Sequence, residues 1–359
     1  MRRKLEDLHD GAKDGLTPLL PLDLNSIEDF DQLLAAMRRT AFGGRSLGEA
    51  AEVLEAMLRD PDCTVVGTFS GAMSVAKMGL LICEMIDRGW LQMIVSTGAL
   101  IAHGFIETLG RVHYKYPEEL PDRALFQQGY NRIYDTLEME ANLDYVEDVF
   151  RRVLEGLDQD QVWSSAALCR ELGKYLAEHS EAPGILRNAY LNGVPVFIPA
   201  FTDSELGLDL AVYMVRRGLA AGHPISEALG TVSLKFNPFL DLAAYARRAL
   251  TARKLGIFTI GGGVPRNWAQ QVAPYLDLLQ TRLQLDLPEA RFHYGVRICP
   301  EPAHWGGLSG CTFKEGVSWG KFVSTEEGGR FAEVLSDATI AWPLLIKGVS
   351  QRLEKNPII

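Results

Sequence analysis

Two strand-to-helix transitions in quick succession constrain the fold of this chain more than any other feature. Thr64-Val65-Val66-Gly67-Thr68-Phe69 is a short β-branched and apolar run that breaks on Ser70-Gly71-Ala72, after which a helical pattern continues to Arg88-Gly89. Leu91-Gln92-Met93-Ile94-Val95 repeats the transition and breaks on Thr97-Gly98-Ala99 ahead of another helix. Parallel strands need a long crossover between them, usually a helix. The rhythm therefore predicts a Rossmann-like α/β fold, a parallel sheet covered by helices on both faces. It returns downstream, with strands over 194–199, 257–260, 294–298 and 331–335. The intervening helices are expected over about 205–219, 239–254 and 267–283, and Asp337-Ala338-Thr339 opens a closing helix.

The rest of the chain reads as additions to that sheet. Residues 1–62 form an N-terminal helical extension, with Ser26 ahead of a run to Met37, and Ser46 with Glu49 as the capping box of a second helix stopping at Asp60-Pro61. Residues 113–192 are polar and mainly helical, with helices near 124–139, 144–156 and 164–178, and read as an insertion within a single domain over 1–359. At 359 residues the chain can bury the core of one large domain or of two smaller ones. A net charge of −10 argues against nucleic acid as a partner and suits a cationic substrate, although solubility alone accounts for it equally well. The basic start Met1-Arg2-Arg3-Lys4 is interrupted by acids and no apolar core follows, so it fails as a signal peptide. No apolar run reaches the roughly 18 residues of a membrane helix. Five scattered cysteines without a C-x-x-C pair suggest neither a disulfide framework nor zinc, and a cytoplasmic protein with reduced thiols is expected.

In a sheet of this kind ligands bind beyond the C-terminal strand ends, where helix N-termini present free N–H groups to phosphates. Four strand ends carry small or hydroxylic residues: Ser70-Gly71, Thr97-Gly98, Gly261-Gly262-Gly263 and Asp337-Ala338-Thr339. Together they read as a dinucleotide cleft, yet no G-x-G-x-x-G fingerprint is present, so an ordinary dehydrogenase is not supported. Asp203 is suited to ribose hydroxyls or, equally, to capping the helix that follows. A second focus is Glu315-Gly316-Val317-Ser318-Trp319-Gly320-Lys321. A lysine packed among apolar groups loses solvation of its ammonium form, its pKa falls, and the free amine becomes a nucleophile. Trp319 offers a face to an alkyl chain or a cation, and Glu315 can hold an incoming amine. On its own, Trp-Gly-Lys reads more readily as a surface lysine after a turn. His103, His293 and His304, with Cys299 or Cys311, match no zinc spacing, so no metal site is expected. These histidines read first as satisfied polar or surface residues; the alternative for His103, at a candidate cofactor-facing position, is a proton shuttle. The acids Glu138, Glu140, Glu147 and Asp148 are expected on solvated helix faces.

Seven segments in order and spacing make the chain resemble the deoxyhypusine synthase family over almost its whole length. They are Gly67-Thr68-Phe69-Ser70-Gly71, Val95-Ser96-Thr97-Gly98, Gly129-Tyr130-Asn131-Arg132-Ile133, Pro195-Val196-Phe197-Ile198-Pro199-Ala200-Phe201-Thr202-Asp203, Ile260-Gly261-Gly262-Gly263-Val264, the heptapeptide ending in Lys321, and Ser336-Asp337-Ala338. The resemblance implies an NAD-dependent transferase that moves an aminobutyl group from a polyamine such as spermidine to an acceptor amine through an imine on Lys321. It implies that Trp319, Glu315 and Asn267 contact the polyamine. By the same resemblance Ser70, Gly71, Thr97, Gly98, Asp203, Gly261, Gly262, Ser309, Asp337 and Ala338 contact NAD. A homotetramer with sites between paired subunits is implied too.

Departures from the family pattern fall where the substrate cations and the cofactor would be held. Ala102 and His103 replace two glutamates, Asn267 replaces a histidine, Leu208 and Leu308 replace two aspartates, and Trp305 replaces another, with Asp209 one residue from the first leucine. A desolvated ammonium needs a partner, so lost carboxylates weaken binding of the usual cation. The expectation is retained transfer chemistry with a rebuilt substrate pocket. The acceptor is either a protein lysine, giving deoxyhypusine, or a free diamine, with homospermidine formation from putrescine the natural candidate. The alternatives are polyamine oxidation without transfer and a non-catalytic NAD- or polyamine-binding protein.

Overall fold

The computed structural model describes Lys4 and residues 8–357, so most of the basic N-terminal start lies outside the described residues. Eleven strands are present among these residues. In chain order they are β1 (Cys63–Phe69), β2 (Met93–Ser96), β3 (Tyr114–Lys115), β4 (Tyr130–Ile133), β5 (Thr136–Met139), β6 (Val162–Trp163), β7 (Val196–Phe197), β8 (Lys235–Phe236), β9 (Lys254–Ile260), β10 (Phe292–Ile298) and β11 (Arg330–Val334). Six build one parallel sheet in the order β11-β10-β9-β1-β2-β7, as the strand–helix rhythm requires. Counted along the chain, that order is the doubly wound one, in which successive strands step outward to one edge and the chain then returns to the centre to build the other half.

Alternate residues of these strands go to opposite faces, and each face has its own core. Val65, Phe69, Ile94, Val196, Phe258 and Ile260 pack with Leu54, Phe105 and Trp342. Val66, Val95, Phe197, Ile257 and Phe292 pack with Tyr245, Val272, Phe313 and Phe322. The N-terminal helices Phe30–Arg38 and Phe42–Arg59 belong to the first face. Arg352 of the closing helix Ala338–Lys355 ties both to it, with Nε donating to Asp31 at 2.6 Å and Nη1 to Glu55 at 3.1 Å.

Several boundaries differ from expectation. Asp29, not Ser26, caps the first helix by accepting from Gln32 N at 2.9 Å. The second starts at Phe42, so Ser46 lies inside it and forms no capping box. No helix opens at Ser70-Gly71-Ala72: turns occupy the segment to Met78, where Lys77 has a left-handed φ of 65°, and the helix covers Gly79–Asp87 only. The expected helix over 267–283 is two, Gly263–Gln270 and Val272–Leu283, with Asn267 in the short first piece. The expected helix over 124–139 is mostly sheet. Helix Asp122–Gln127 stops, and β4 and β5 form a hairpin turning at Tyr134-Asp135, with β3 added on the other side of β5. This places Glu138 inside, at 1% exposure, and not on a solvated helix face.

Trp342 is fully buried, with ring centroids 5.6 Å from Phe69 and 6.4 Å from Phe258, and its indole N–H has no hydrogen-bond partner. Truncation leaves a large cavity under the centre of the sheet, whereas phenylalanine keeps most of the ring and removes the unpaired donor. Trp342→Ala is expected to lower unfolding free energy by about 3–5 kcal/mol in urea titration. Trp342→Phe should cost less than half of that; equal losses would contradict this account of the core.

Candidate active site

The strand order reverses between β1 and β9, and adjoining connections there leave in opposite directions, which opens a crevice at the C-terminal strand ends. Hydrogen bonds knit the loops on both sides. Ser70 N donates to Ile260 O at 3.1 Å, and the Ser70 hydroxyl makes a short bond to Gly262 O. Gly261 N donates to Ile298 O at 2.8 Å, while Thr97 Oγ1 donates to Gly71 O at 2.6 Å. A cavity of about 140 Å³ lies here, lined by Ser70, Thr97, Gly98 and Asp203 together with Ser96, Ala200 and Gly263-Val264-Pro265. Helix Gly263–Gln270 opens at it without a side-chain cap, so first-turn N–H groups and the positive dipole end remain free for an anion. Ser204, not Asp203, caps helix Glu205–Ala220, which leaves Asp203 exposed at the cavity.

A second cleft, of about 310 Å³, lies beside the first along the same helix and is lined by Asn267, Gln271, Leu308, Cys311, Glu315, Trp319 and Lys321. The heptapeptide shapes it. Thr312 caps the single-turn helix Phe313–Val317 by accepting from Glu315 N at 3.1 Å. Gly316 lets that turn lie flat on Phe322, since a Cβ there would stand 2.5 Å from the ring. The chain then swings back so that Lys321 N bonds Gly316 O and Lys321 O accepts from Phe292 N, fixing the lysine against the end of β10. Lys321 is 9% exposed, its Nζ 3.1 Å from Asn267 Oδ1 and 5.8 Å from the Trp319 ring centroid. Burial lowers its pKa and Arg266 adds to the effect, while Cys311 and Glu315 oppose it. Trp319, at 64% exposure, and Glu315 stand at the open side.

Ser309, like Gly71, Gly261 and Gly262, lines neither cavity, and its loop packs instead on the turn after β9. A Cβ on Gly262 would lie 2.5 Å from Ser309 Cα, so only glycine lets the turn after β9 touch the Ser309 backbone. Two arginines not singled out from the sequence hold this loop. Arg297 Nη1 donates to Ser309 O at 2.7 Å and Cys311 O at 2.6 Å, and its other end pairs with Glu333. Arg266, 2% exposed, donates to Cys311 O at 2.6 Å; its Nε and Nη2 have no partner, and burial, then Arg297, lowers its pKa to about 10. A charged residue inside the apolar strand pattern Tyr294-Gly295-Val296-Arg297-Ile298 was the legible signal for one of them.

Other expected positions fall outside. Asp337 caps the closing helix through Thr339 N at 2.7 Å, and neither it nor Ala338 lines either cavity. His103 is buried against His113 and Glu138 and lines neither cavity. Asp209, pushed up to about 7 by burial and by Glu147, Glu205 and Asp144, lines neither cavity.

A family profile described as deoxyhypusine synthase matches residues 32–349. The chain belongs to the deoxyhypusine synthase family. It is 32% identical to the "Probable deoxyhypusine synthase 2" of Methanosarcina mazei over 337 residues, which is 94% of this chain and 90% of that protein. It is also 32% identical to a deoxyhypusine synthase-like protein of Chlorobaculum tepidum, over 87% of this chain and 84% of that protein. Among solved structures, an Entamoeba histolytica protein described as a candidate deoxyhypusine synthase shares the fold, with a TM-score of 0.56 at 13% identity over 92% of this chain and 96% of that one. Membership in the deoxyhypusine synthase family supports an aminobutyl-transferring enzyme. In this member Leu308 lines the lysine cleft, and Glu315 is the single carboxylate among the residues lining it.

The buried environment makes a checkable demand on Lys321. In amine labelling followed by mass spectrometry across pH, Lys321 is expected to become reactive at lower pH than the exposed lysines, whose ordinary pKa is about 10.4. A labelling profile that coincides with theirs would contradict the burial argument.

Proposed function

We propose that this protein is an NAD-dependent aminoalkyl transferase in which Lys321 carries the transferred group. The observation that supports it most is a buried, pKa-depressed Lys321 in a cleft that shares helix Gly263–Gln270 with the crevice at the strand-order reversal. The crevice suits NAD: the uncapped helix start is suited to its phosphates, and Asp203 to its ribose hydroxyls. Bound there, NAD supplies the acceptance and later return of a hydride at the carbon next to the substrate's leaving amine. The chain's residues do the rest. Lys321, as free amine, attacks the carbon of the resulting substrate imine, and the displaced amine, a diamine from spermidine or ammonia from putrescine, leaves with the proton it needs. The aminobutyl fragment stays on Nζ as a Schiff base until an acceptor amine attacks the same carbon and releases Lys321. Asn267 Oδ1 accepts from Nζ and orients it, Trp319 packs along the alkyl chain, and Glu315 pairs with an amine at the open side.

Loss of carboxylates at Leu208 and Leu308 favours a small free diamine over the family's usual arrangement, and homospermidine from putrescine is the product this reading selects; a protein lysine is the other acceptor. By family resemblance the enzyme is a homotetramer with sites between paired subunits, and its scattered cysteines without a C-x-x-C pair fit a cytoplasmic protein. The exposed Trp305 and Trp319 at the loop and cleft provide apolar surface for such a contact.

Incubation with NAD and labelled spermidine or putrescine, followed by borohydride, is expected to fix label on Lys321. Lys321→Ala should abolish the adduct and leave NAD affinity within about twofold. Soluble aldehyde without adduct would favour oxidation, and neither product would leave a binding protein. Mass analysis of products from putrescine and from a protein-lysine acceptor separates homospermidine from deoxyhypusine formation.

A further inference from the structure

Away from both clefts, three side chains that the transfer does not use converge in the interior. His103 sits on helix Gly98–Thr108, His113 just before β3, and Glu138 on β5, at 5%, 9% and 1% exposure. His113 Nε2 is 2.6 Å from Glu138 Oε2; His103 Nδ1 is 3.3 Å from the same oxygen and 3.4 Å from His113 Nε2. One ligand atom from each residue therefore faces a common point. The other Glu138 oxygen is already engaged, accepting from Asn142 Nδ2 at 2.7 Å and Met139 N at 2.9 Å, which fixes Oε2 toward the histidines.

We propose that His103, His113 and Glu138 form a binding site for one divalent first-row transition ion, zinc by its ligand set. Tetrahedral zinc with bonds of about 2.0–2.2 Å spaces its ligand atoms about 3.3–3.5 Å apart. Two of the three separations already have that length. The short third one is the hydrogen bond that the His113 Nε2 proton makes to Glu138 in the metal-free protein. Metal binding requires that proton to move to Nδ1 of His113, and the proton that His103 Nδ1 offers the same carboxylate to move to its own Nε2, so that His113 Nε2 and His103 Nδ1 give their lone pairs to the ion. An acceptor waits there: Glu107 Oε1 lies 3.5 Å from His113 Nδ1, the carboxylate–histidine–metal arrangement that fixes a ligating imidazole. Lys77 Nζ, 2.8 Å from the same Nδ1 and paired with Glu107, is the cation that must give way; its side chain is half exposed and free to swing outward. Glu138 and Glu107 together balance the charge of the ion. The site joins the helix whose first turn forms the cofactor crevice to the β3-β5-β4 sheet, so its occupant braces that helix and takes no part in the transfer.

The full-length protein, stripped with chelator, is to be titrated with Zn²⁺ and with Co²⁺, following heat of binding and the visible absorption of cobalt. One ion per chain is expected, with a rise in melting temperature on zinc addition. Glu138→Gln and His103→Gln should each weaken binding at least about tenfold, and Lys77→Gln, which removes the opposing cation from a half-exposed position, should strengthen it. Circular dichroism of the metal-free variants separates loss of the site from loss of the fold. The absence of stoichiometric binding by the wild type overturns the proposal, and so does an affinity unmoved by all three substitutions.

Discussion

The seam between β1 and β9 sets the position of nearly everything functional in this molecule. These strands are neighbours although about 190 residues separate them, and the Thr68 and Thr259 hydroxyls bond across the seam at 2.8 Å in the fully buried interior. Because the chain moves outward to β2 and β7 before it returns to β9, the loops leaving β1 and β9 diverge over their ends. The gap they leave is a consequence of connectivity, and hydroxyl-to-carbonyl bonds from Ser70 and Thr97 then hold its walls. A helix start without a cap is tolerable at such a place only because its N–H groups face solvent or a ligand.

Beside the gap, the protein manages three cations in two different ways. Arg297 has a carboxylate partner in Glu333 and two carbonyls, so its charge is fully answered. Arg266 has one carbonyl and a ring, Phe313, 5.1 Å from its guanidinium carbon. Lys321 has a neutral amide alone within hydrogen-bond distance. Desolvation penalises an ammonium unless an anion compensates it, and each pKa unit of that penalty is about 1.4 kcal/mol. A neutral amide oxygen compensates a buried ammonium far less than a carboxylate would, so Asn267 orients Nζ without cancelling the desolvation penalty. A carboxylate in its place would favour the charged, non-nucleophilic form.

Sequence patterning made the main sheet legible because buried parallel strands and their flanking helices repeat at two distinct periods. The lysine cleft was legible because its parts sit in one heptapeptide, with Asn267 close to the glycine turn. Less visible were features built from distant segments. Tyr130 to Met139 alternates in a way that a helical period also accommodates, and the hairpin is decided by Tyr134-Asp135 at its tip. Taking that segment as helix sent Glu138 to the surface and hid its meeting with His103 and His113, residues 35 and 25 positions away. Arg266 is illegible in the sequence for a similar reason: its surroundings come from the carbonyls and rings of a loop some 45 residues on.

The same cation logic bears on what the cleft can hold. Glu315 is its single acid and is exposed, and an exposed ion pair contributes only about 0–1 kcal/mol. The Trp319 face adds about 0.5–1 kcal/mol to an exposed cation, and more if the cation is desolvated. Leu308, lining the wall, offers contact to methylenes and no partner to an ammonium. A long polyamine with several buried charges would therefore leave at least one of them unanswered within a single chain, at a cost of several kcal/mol. On the proposed function, a short diamine that keeps one amine at the Glu315 rim and brings the other, neutral, to a carbon held on Lys321 avoids that cost. On the proposed reading, the loss of acids does not disable the site. It shifts the preference from long, highly charged amines toward short ones.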